Sequence, residues 1–457
     1  MNSRRNFLKK LAITSCATLL FKVDSLAVEK KLSKIQIDNT DKSLVFLMLN
    51  GGNDSANMLI DKEDEAYKIY KESRPNIALN EDELIEFEVN DSKYAIHYKL
   101  KNIFKMFERK ELAFVANVGT MIKPIKKETF ETTEKPPYLY SHPTQRAHWQ
   151  SMEPLEFLKT GWGGRISDAL DISRNENLPL IYGIGTKSLF LKANNSKAYI
   201  FDNAGVIDFK RLRSSNIYTS RKDFFKKIND NTNSNTLVNL YRDLQYSTVE
   251  KSIKIENILK QSEIIVDIKG HSTLTKNLML ISKIISLRAE FGLKRQIFYL
   301  NTSGYDTHHN QKSNINSLYN NLDTSINTFN EQLKSLGLYN NVLTFIGSDF
   351  GRTITSNETG TDHGWGGHYF VFGEAVKGGE VYGNMPSLKL GSSDLTNRHR
   401  LIPTTSLEEY LYPICRWFGL NNMNIKEIFP HYEALTNKED INYVEKKLDF
   451  IKDEYLI

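Results

Sequence analysis

A series of short apolar runs punctuates the chain, each opening directly into a polar, glycine-containing loop. Leu44–Leu49 (LVFLML) runs into Asn50-Gly51-Gly52-Asn53-Asp54, and Leu112–Val118 into Gly119. Gln296–Leu300 runs into Asn301-Thr302-Ser303-Gly304-Tyr305-Asp306, and Asn341–Ile346 into Gly347-Ser348-Asp349. Leu180–Ile184 and Tyr369–Phe372 complete the set. Runs that are continuously apolar, rather than alternating, suit strands covered on both faces.

Between them the period changes to that of a helix. Tyr98–Arg109 places Leu100, Ile103, Phe104 and Phe107 on one stripe, and Leu274–Phe291 and Ile315–Leu336 repeat the pattern over longer spans. Strand–helix alternation predicts an α/β fold, a doubly wound and mostly parallel sheet. Ligands of such sheets sit beyond the carboxyl ends of the strands, where this chain concentrates Asp, His and Gly. The stretch from Val206 to Ile265 departs from the alternation, being charged and Asn-rich with weak helical periodicity. It predicts a helical insertion, about 206–292 in all, within one domain over 28–457. The tail after Pro430 is polar and predicted to be peripheral.

The first residues predict a destination. Ser3-Arg4-Arg5-Asn6-Phe7-Leu8-Lys9, the apolar stretch Leu11–Phe21 and then Ser25-Leu26-Ala27 read as a twin-arginine signal peptide over residues 1–27. The apolar stretch rises only about 16 Å as a helix, short of a ~30 Å hydrocarbon core, so a targeting segment is expected and no permanent span after its removal. The expected location is periplasmic or otherwise exported. Ile13-Thr14-Ser15 before Cys16 is a poor lipid-attachment context. Removing 1–27 takes away five basic residues and one acid, lowering the formal charge from +5 to +1. A near-neutral mature chain gives no reason to expect nucleic acid as a partner. Only Cys415 would remain, which excludes an intramolecular disulfide.

Six of the ten histidines fall in three short motifs. These are Ser141-His142-Pro143-Thr144-Gln145-Arg146-Ala147-His148, Gly304-Tyr305-Asp306-Thr307-His308-His309 and Thr361-Asp362-His363-Gly364-Trp365-Gly366-Gly367-His368. Imidazole beside carboxylate in loops after strands is the donor set of a hard or borderline divalent ion. The same residues also serve to cap helices and satisfy loop backbone; three motifs together tip the reading toward metal. Arg165, in Gly161-Trp162-Gly163-Gly164-Arg165, and Arg352, after Gly351, are candidates for an anionic substrate group, or else for structural carboxylates.

In order along the chain, Leu49-Asn50-Gly51-Gly52-Asn53-Asp54, Ser141-His142, Gly161-Trp162-Gly163-Gly164-Arg165, Gly304-Tyr305-Asp306-Thr307-His308, Ser348-Asp349-Phe350-Gly351-Arg352 and Gly360-Thr361-Asp362-His363-Gly364-Trp365-Gly366 resemble the uncharacterised-domain family 1501 (DUF1501). The resemblance implies an alkaline-phosphatase/sulfatase-like fold and export. It implies Ser141 as nucleophile at a helix N-terminus, with Thr144 behind it. Carried over by position, it also implies a metal set drawn from Asp54, Asp306, His308, His309, Asp349, His363 and, as the weaker choice, His368. The ions would be one or two divalent metals, zinc or manganese foremost. Phe350 stands where that superfamily places a histidine ligand, so one ion is at least as well supported as two.

Two functions follow from these readings. The first is an exported metal-dependent hydrolase or transferase of phosphate- or sulfate-type esters, its partner an anionic small molecule or glycan. The second is a non-catalytic exported protein whose degenerate site binds a surface glycan or a partner protein.

Overall fold

The computed structural model describes residues 40–155, 159–171, 178–202, 227, 235–261, 270–429, 431–432 and 448–456. The expected signal peptide, Cys16, residues 203–226 of the expected insertion and most of the polar tail lie outside them. The strands in chain order are β1 (Lys42–Asn50), β2 (Leu59–Asp61), β3 (Leu84–Val89), β4 (Ser92–His97), β5 (Leu112–Gly119), β6 (Ile181–Ile184), β7 (Tyr199–Phe201), β8 (Arg295–Ser303), β9 (Val342–Ser348), β10 (Gly367–Phe372), β11 (Val381–Tyr382) and β12 (Thr405–Ser406). The helices are α1 (Asp64–Ser73), α2 (Lys101–Glu108), α3 (His142–Ser151), α4 (Trp162–Asp171), α5 (Thr236–Leu259), α6 (Thr273–Ser286), α7 (Gln311–Ser335), α8 (Leu407–Phe418) and α9 (Asn422–Ile428).

The fold is α/β. Its main sheet runs β11-β5-β10-β9-β1-β8-β6-β7, with β12 also paired to β5. β1 pairs in parallel with both β8 and β9, and β6 with β8 and β7. β10 alone among these runs antiparallel, to β9 and to β5. β1 is buried from Lys42 to Leu49, as a strand covered on both faces must be. Phe46 at its centre stacks on Phe345 of β9 at 4.6 Å and meets Trp149 of α3 at 6.2 Å and Trp162 of α4 at 6.5 Å. Elsewhere α6 and α7 pack together, and α6 also packs on β8. Asp323 of α7 accepts the N–H groups of Asn102 and Ile103, each at 2.8 Å, placing a carboxylate at the positive end of α2. A smaller antiparallel sheet, β2-β4-β3, stands beside the main one. Among the described residues no helix is long and apolar enough to cross a membrane.

Topology puts the chemistry on one edge. The parallel strands β1, β8 and β9 are neighbours, so the loops after Asn50, Ser303 and Ser348 emerge together. Because β10 runs the other way, the segment that precedes it, including His363, reaches the same edge.

Helix α8 carries a pH-sensitive core acid. Ser406 caps it in a reciprocal box with Glu409, at 3.0 and 2.7 Å. The neighbouring Glu408 is fully buried, and loss of hydration pushes its carboxyl up to about 8. The folded chain therefore binds a proton that the unfolded chain releases above pH ~4.5, and stability falls as pH rises from there toward 8. Glu408→Gln is expected to flatten that slope and to raise stability at pH 8 by about 3–5 kcal/mol, with little gain at pH 4.5. Urea unfolding at the two pH values checks this.

Candidate metal centre

Close backbone approaches assemble the site. Gly51, at φ +120°, passes so near the Asp306 loop that a Cβ would lie 2.3 Å from the Asp306 nitrogen. Gly360 likewise approaches the His308 carbonyl, where a Cβ would stand at 2.1 Å. The 360–366 segment folds back on the exit of β9: Gly351 N–H donates to Trp365 O, and Thr353 N–H to Asp362 O, both at 3.0 Å. Arg352 and His363 face each other as an antiparallel bridge. From the far side, His142 enters at the start of α3.

Asp306 is the hub. Its Oδ1 lies 3.0 Å from His308 Nε2 and 3.3 Å from His363 Nε2, while its Oδ2 lies 3.4 Å from His142 Nε2. The Nε2 atoms of His308 and His363 are 3.1 Å apart. Donor atoms of His142, Asp306 and His363 all fall within 4.8 Å of one another. Two donors bound tetrahedrally at about 2.0–2.1 Å are separated by roughly 3.3 Å, and the distances here bracket that value.

The other ring nitrogens fix the tautomers. His142 Nδ1 donates to Asp349 Oδ2 at 2.7 Å and His363 Nδ1 to the Tyr140 carbonyl at 2.8 Å. His308 Nδ1 faces Asp362 Oδ1 at 3.4 Å. Each imidazole thus has an oxygen behind it and turns Nε2 inward, the arrangement by which outer carboxylates and carbonyls orient metal-bound histidines. The inward nitrogens and carboxylate oxygens can all act as acceptors, a donor set that could hold a cation. A proton is disfavoured: burial, with neighbouring His142 and Arg352, holds His363 below its ordinary pKa. Burial opposes ionisation of Asp306, but the Arg352 hydrogen bond and charge, with His308 and His142, bring its pKa below the usual carboxylate range. His142 Nε2 is buried without a hydrogen-bond partner. These residues fit a divalent ion.

A family profile described as "Protein of unknown function (DUF1501)" matches residues 41–429. The chain belongs to this family. No curated protein matches it. Among solved structures, the C-terminal periplasmic domain of EcEptC from Escherichia coli is similar at 8% identity, covering 90% of this chain and 90% of that one with a TM-score of 0.37. The lipoteichoic acid synthase LtaP from Listeria monocytogenes is 8% identical, with 86% and 79% covered and a TM-score of 0.34. Alkaline phosphatase from the Antarctic bacterium TAB5 is 11% identical, with 86% and 99% covered and a TM-score of 0.32. Likeness at this level carries no argument about activity.

In this DUF1501 chain several residues expected at the site do other work. Asp54 is engaged elsewhere: Arg74 Nη2 donates to both its oxygens at 2.7 Å, and Gln311 donates to Oδ2. Burial raises its pKa, outweighing the guanidinium groups of Arg74 and Arg352. Asp349 stands behind His142 rather than facing the cluster. His368 lies inside β10, where Nδ1 accepts the Asn117 N–H at 3.1 Å and burial pushes its pKa down to about 4. The His309 side chain is exposed, outside the convergence. Arg165 is buried and donates to the carbonyls of Thr160, Ser151 and Ile428, so it ties α4 to α9 instead of reaching a substrate. Arg352 is also buried; its Nη1 donates to Asp306 Oδ1 at 2.7 Å and to Gly51 O at 3.2 Å, holding the hub carboxylate in place. The Phe350 ring lies 4.8 Å from the rings of both His142 and His363, tilted by 33° and 35°. Ser141 is the N-cap of α3 but its side chain makes no cap hydrogen bond; its hydroxyl meets Thr144 Oγ1 at 3.4 Å. His142 is not among the ligands that the resemblance implies, although it belongs to one of the three histidine motifs; its local signal is a histidine where a helix opens.

Proposed function

We propose that this chain is a metal-dependent hydrolase or transferase for phosphate- or sulfate-type esters, using one divalent ion held by Asp306, His308, His363 and His142. The observation that carries this reading is the convergence of three Nε2 atoms on one carboxylate, each ring backed by an oxygen. Zinc is favoured over manganese by the imidazole-rich donor set. A bound ion there supplies Lewis-acid polarisation and lowers the pKa of a coordinated hydroxyl or water. One ion is favoured over two because Asp54 is engaged by Arg74 and a phenyl ring stands at Phe350.

The chain's own groups supply the rest. Asp349 orients His142, Arg352 fixes Asp306, and Phe350 holds the planes of two imidazoles. Ser141 lies between Tyr140 and His142, both tied to the cluster, with its hydroxyl uncommitted to capping; it is the proposed nucleophile. The N–H groups at the start of α3 favour negative charge beside it. A cavity of about 340 Å³ alongside is lined by Arg146, Lys187, Gln150 and Asn301, with no carboxylate, and suits an anionic group. We also propose export by the twin-arginine route, which carries chains already folded around a metal.

The alternative, a binding protein without turnover, is favoured by one observation, the phenyl ring of Phe350. A panel of aryl phosphate and aryl sulfate esters with zinc-loaded protein separates the two. Turnover of at least one ester, reduced about a hundredfold or more in Ser141→Ala, is expected. No turnover across the panel overturns the hydrolase reading, and full activity in Ser141→Ala replaces the serine by water.

A further inference from the structure

The cavity beside the cluster continues outward. It shares Lys187, Ser188 and Leu189 with a second, more open trough of about 670 Å³ that also presents Lys192 and Lys197 over Leu191 and Ile200. No carboxylate lines either space. Lys187, Lys192 and Lys197 are exposed, and none forms an ion pair among the described residues. The carboxylate that holds the turn before Lys197 is turned away from the trough: Asp168 is buried and accepts the N–H groups of Asn194, Asn195 and Ser196 at 2.7, 3.0 and 2.6 Å. That fixes the turn on which Lys197 stands while the carboxylate's charge is held by backbone. At the inner end, Arg146 Nη1 reaches to 3.8 Å of Asp349, which orients His142. A single path of positive charge therefore leads away from the candidate metal centre. One reacting oxyanion would occupy only its inner end, and like charges left uncompensated along a trough attract further anions.

We infer that this chain takes a polyanionic ester, one that carries further phosphate or sulfate groups beyond the one that reacts, and that Lys187, Lys192 and Lys197 hold those groups. The inference rests on the hydrolase reading for which end reacts, but the lysine trough binds without the ion. Lysines act here as point charges without bidentate geometry, so binding weakens steeply with salt.

The test uses the full chain in EDTA, with fluorescein-labelled dextran sulfate followed by anisotropy and with neutral dextran and inorganic polyphosphate as competitors. Dextran sulfate is expected to bind, neutral dextran not to compete, and Lys192→Gln/Lys197→Gln to raise Kd about tenfold or more, a change of ~1.4 kcal/mol. Lys68→Gln/Lys101→Gln, on other surfaces, is expected to bind as wild type does. Polyphosphate competing better than unlabelled dextran sulfate assigns the groups as phosphates; the reverse assigns them as sulfates. Wild-type affinity in Lys192→Gln/Lys197→Gln, or equal loss in the control pair, overturns the inference. Because the measurement excludes metal and turnover, failure of the hydrolase reading would leave its outcome unchanged.

Discussion

Asp306→Asn is expected to lower zinc affinity by about a hundredfold or more, and to abolish ester turnover, while the metal-free protein stays folded. Losing one supporting group behind a ligand already costs 10–100-fold in metal affinity, and Asp306 is the atom pair on which three imidazoles converge. The amide keeps a carbonyl oxygen for Arg352 Nη1, and that guanidinium has further acceptors in Gly51 O, Thr361 O and Thr361 Oγ1. The structural cost should therefore be on the order of 1 kcal/mol. Zinc titration against a chromogenic chelator, with urea unfolding of the metal-free protein, reads both quantities. Unchanged zinc affinity in a folded variant would remove Asp306 from the site.

The opposite pattern is expected at Arg74. Its side chain is fully buried against Asp54, with the Thr353 and Ile354 carbonyls as further acceptors. Arg74→Met strands a buried carboxylate and should destabilise by about 3–5 kcal/mol at neutral pH. The loss has a pH signature. Without the guanidinium Asp54 folds only as the neutral acid, its folded pKa rising further above the unfolded value. The folded variant then holds its proton to a higher pH than the folded wild type, whose Asp54 pKa is itself raised, so the deficit opens above that wild-type value and grows by up to about 1.4 kcal/mol per pH unit. Measured at pH 5 and pH 8, the variant should be much closer to wild type at the lower value. Zinc binding by its folded fraction should be intact, which separates the Asp54 pair from the metal centre.

These two residues mark what the sequence discloses. Apolar runs such as Leu44–Leu49 and Asn341–Ile346 became β1 and β9 because continuous burial on both faces admits few alternatives at that length. Their exits share one edge, and Asp306, His308 and His363, read from loops bordered by glycine, converge there. Helix ends were less exact: the span expected to Phe291 stops at Ser286, where the chain turns before β8. What stayed hidden depends on long-range pairing. Nothing near Asp54 announces Arg74, twenty residues on across a different sheet. Nothing in Gly161-Trp162-Gly163-Gly164-Arg165 shows that three carbonyls will surround the guanidinium. His142 was hidden for the same reason, since its partners Asp349 and Asp306 arrive from the far half of the chain.

The central claim is that one divalent ion belongs among His142, Asp306, His308 and His363. Elemental analysis of the purified full chain, followed by zinc titration of the chelated protein, tests it most directly. The account predicts about one ion per chain, retained through gel filtration and lost in Asp306→Asn. A folded protein that binds no divalent metal, or one whose metal survives replacement of Asp306, would contradict it.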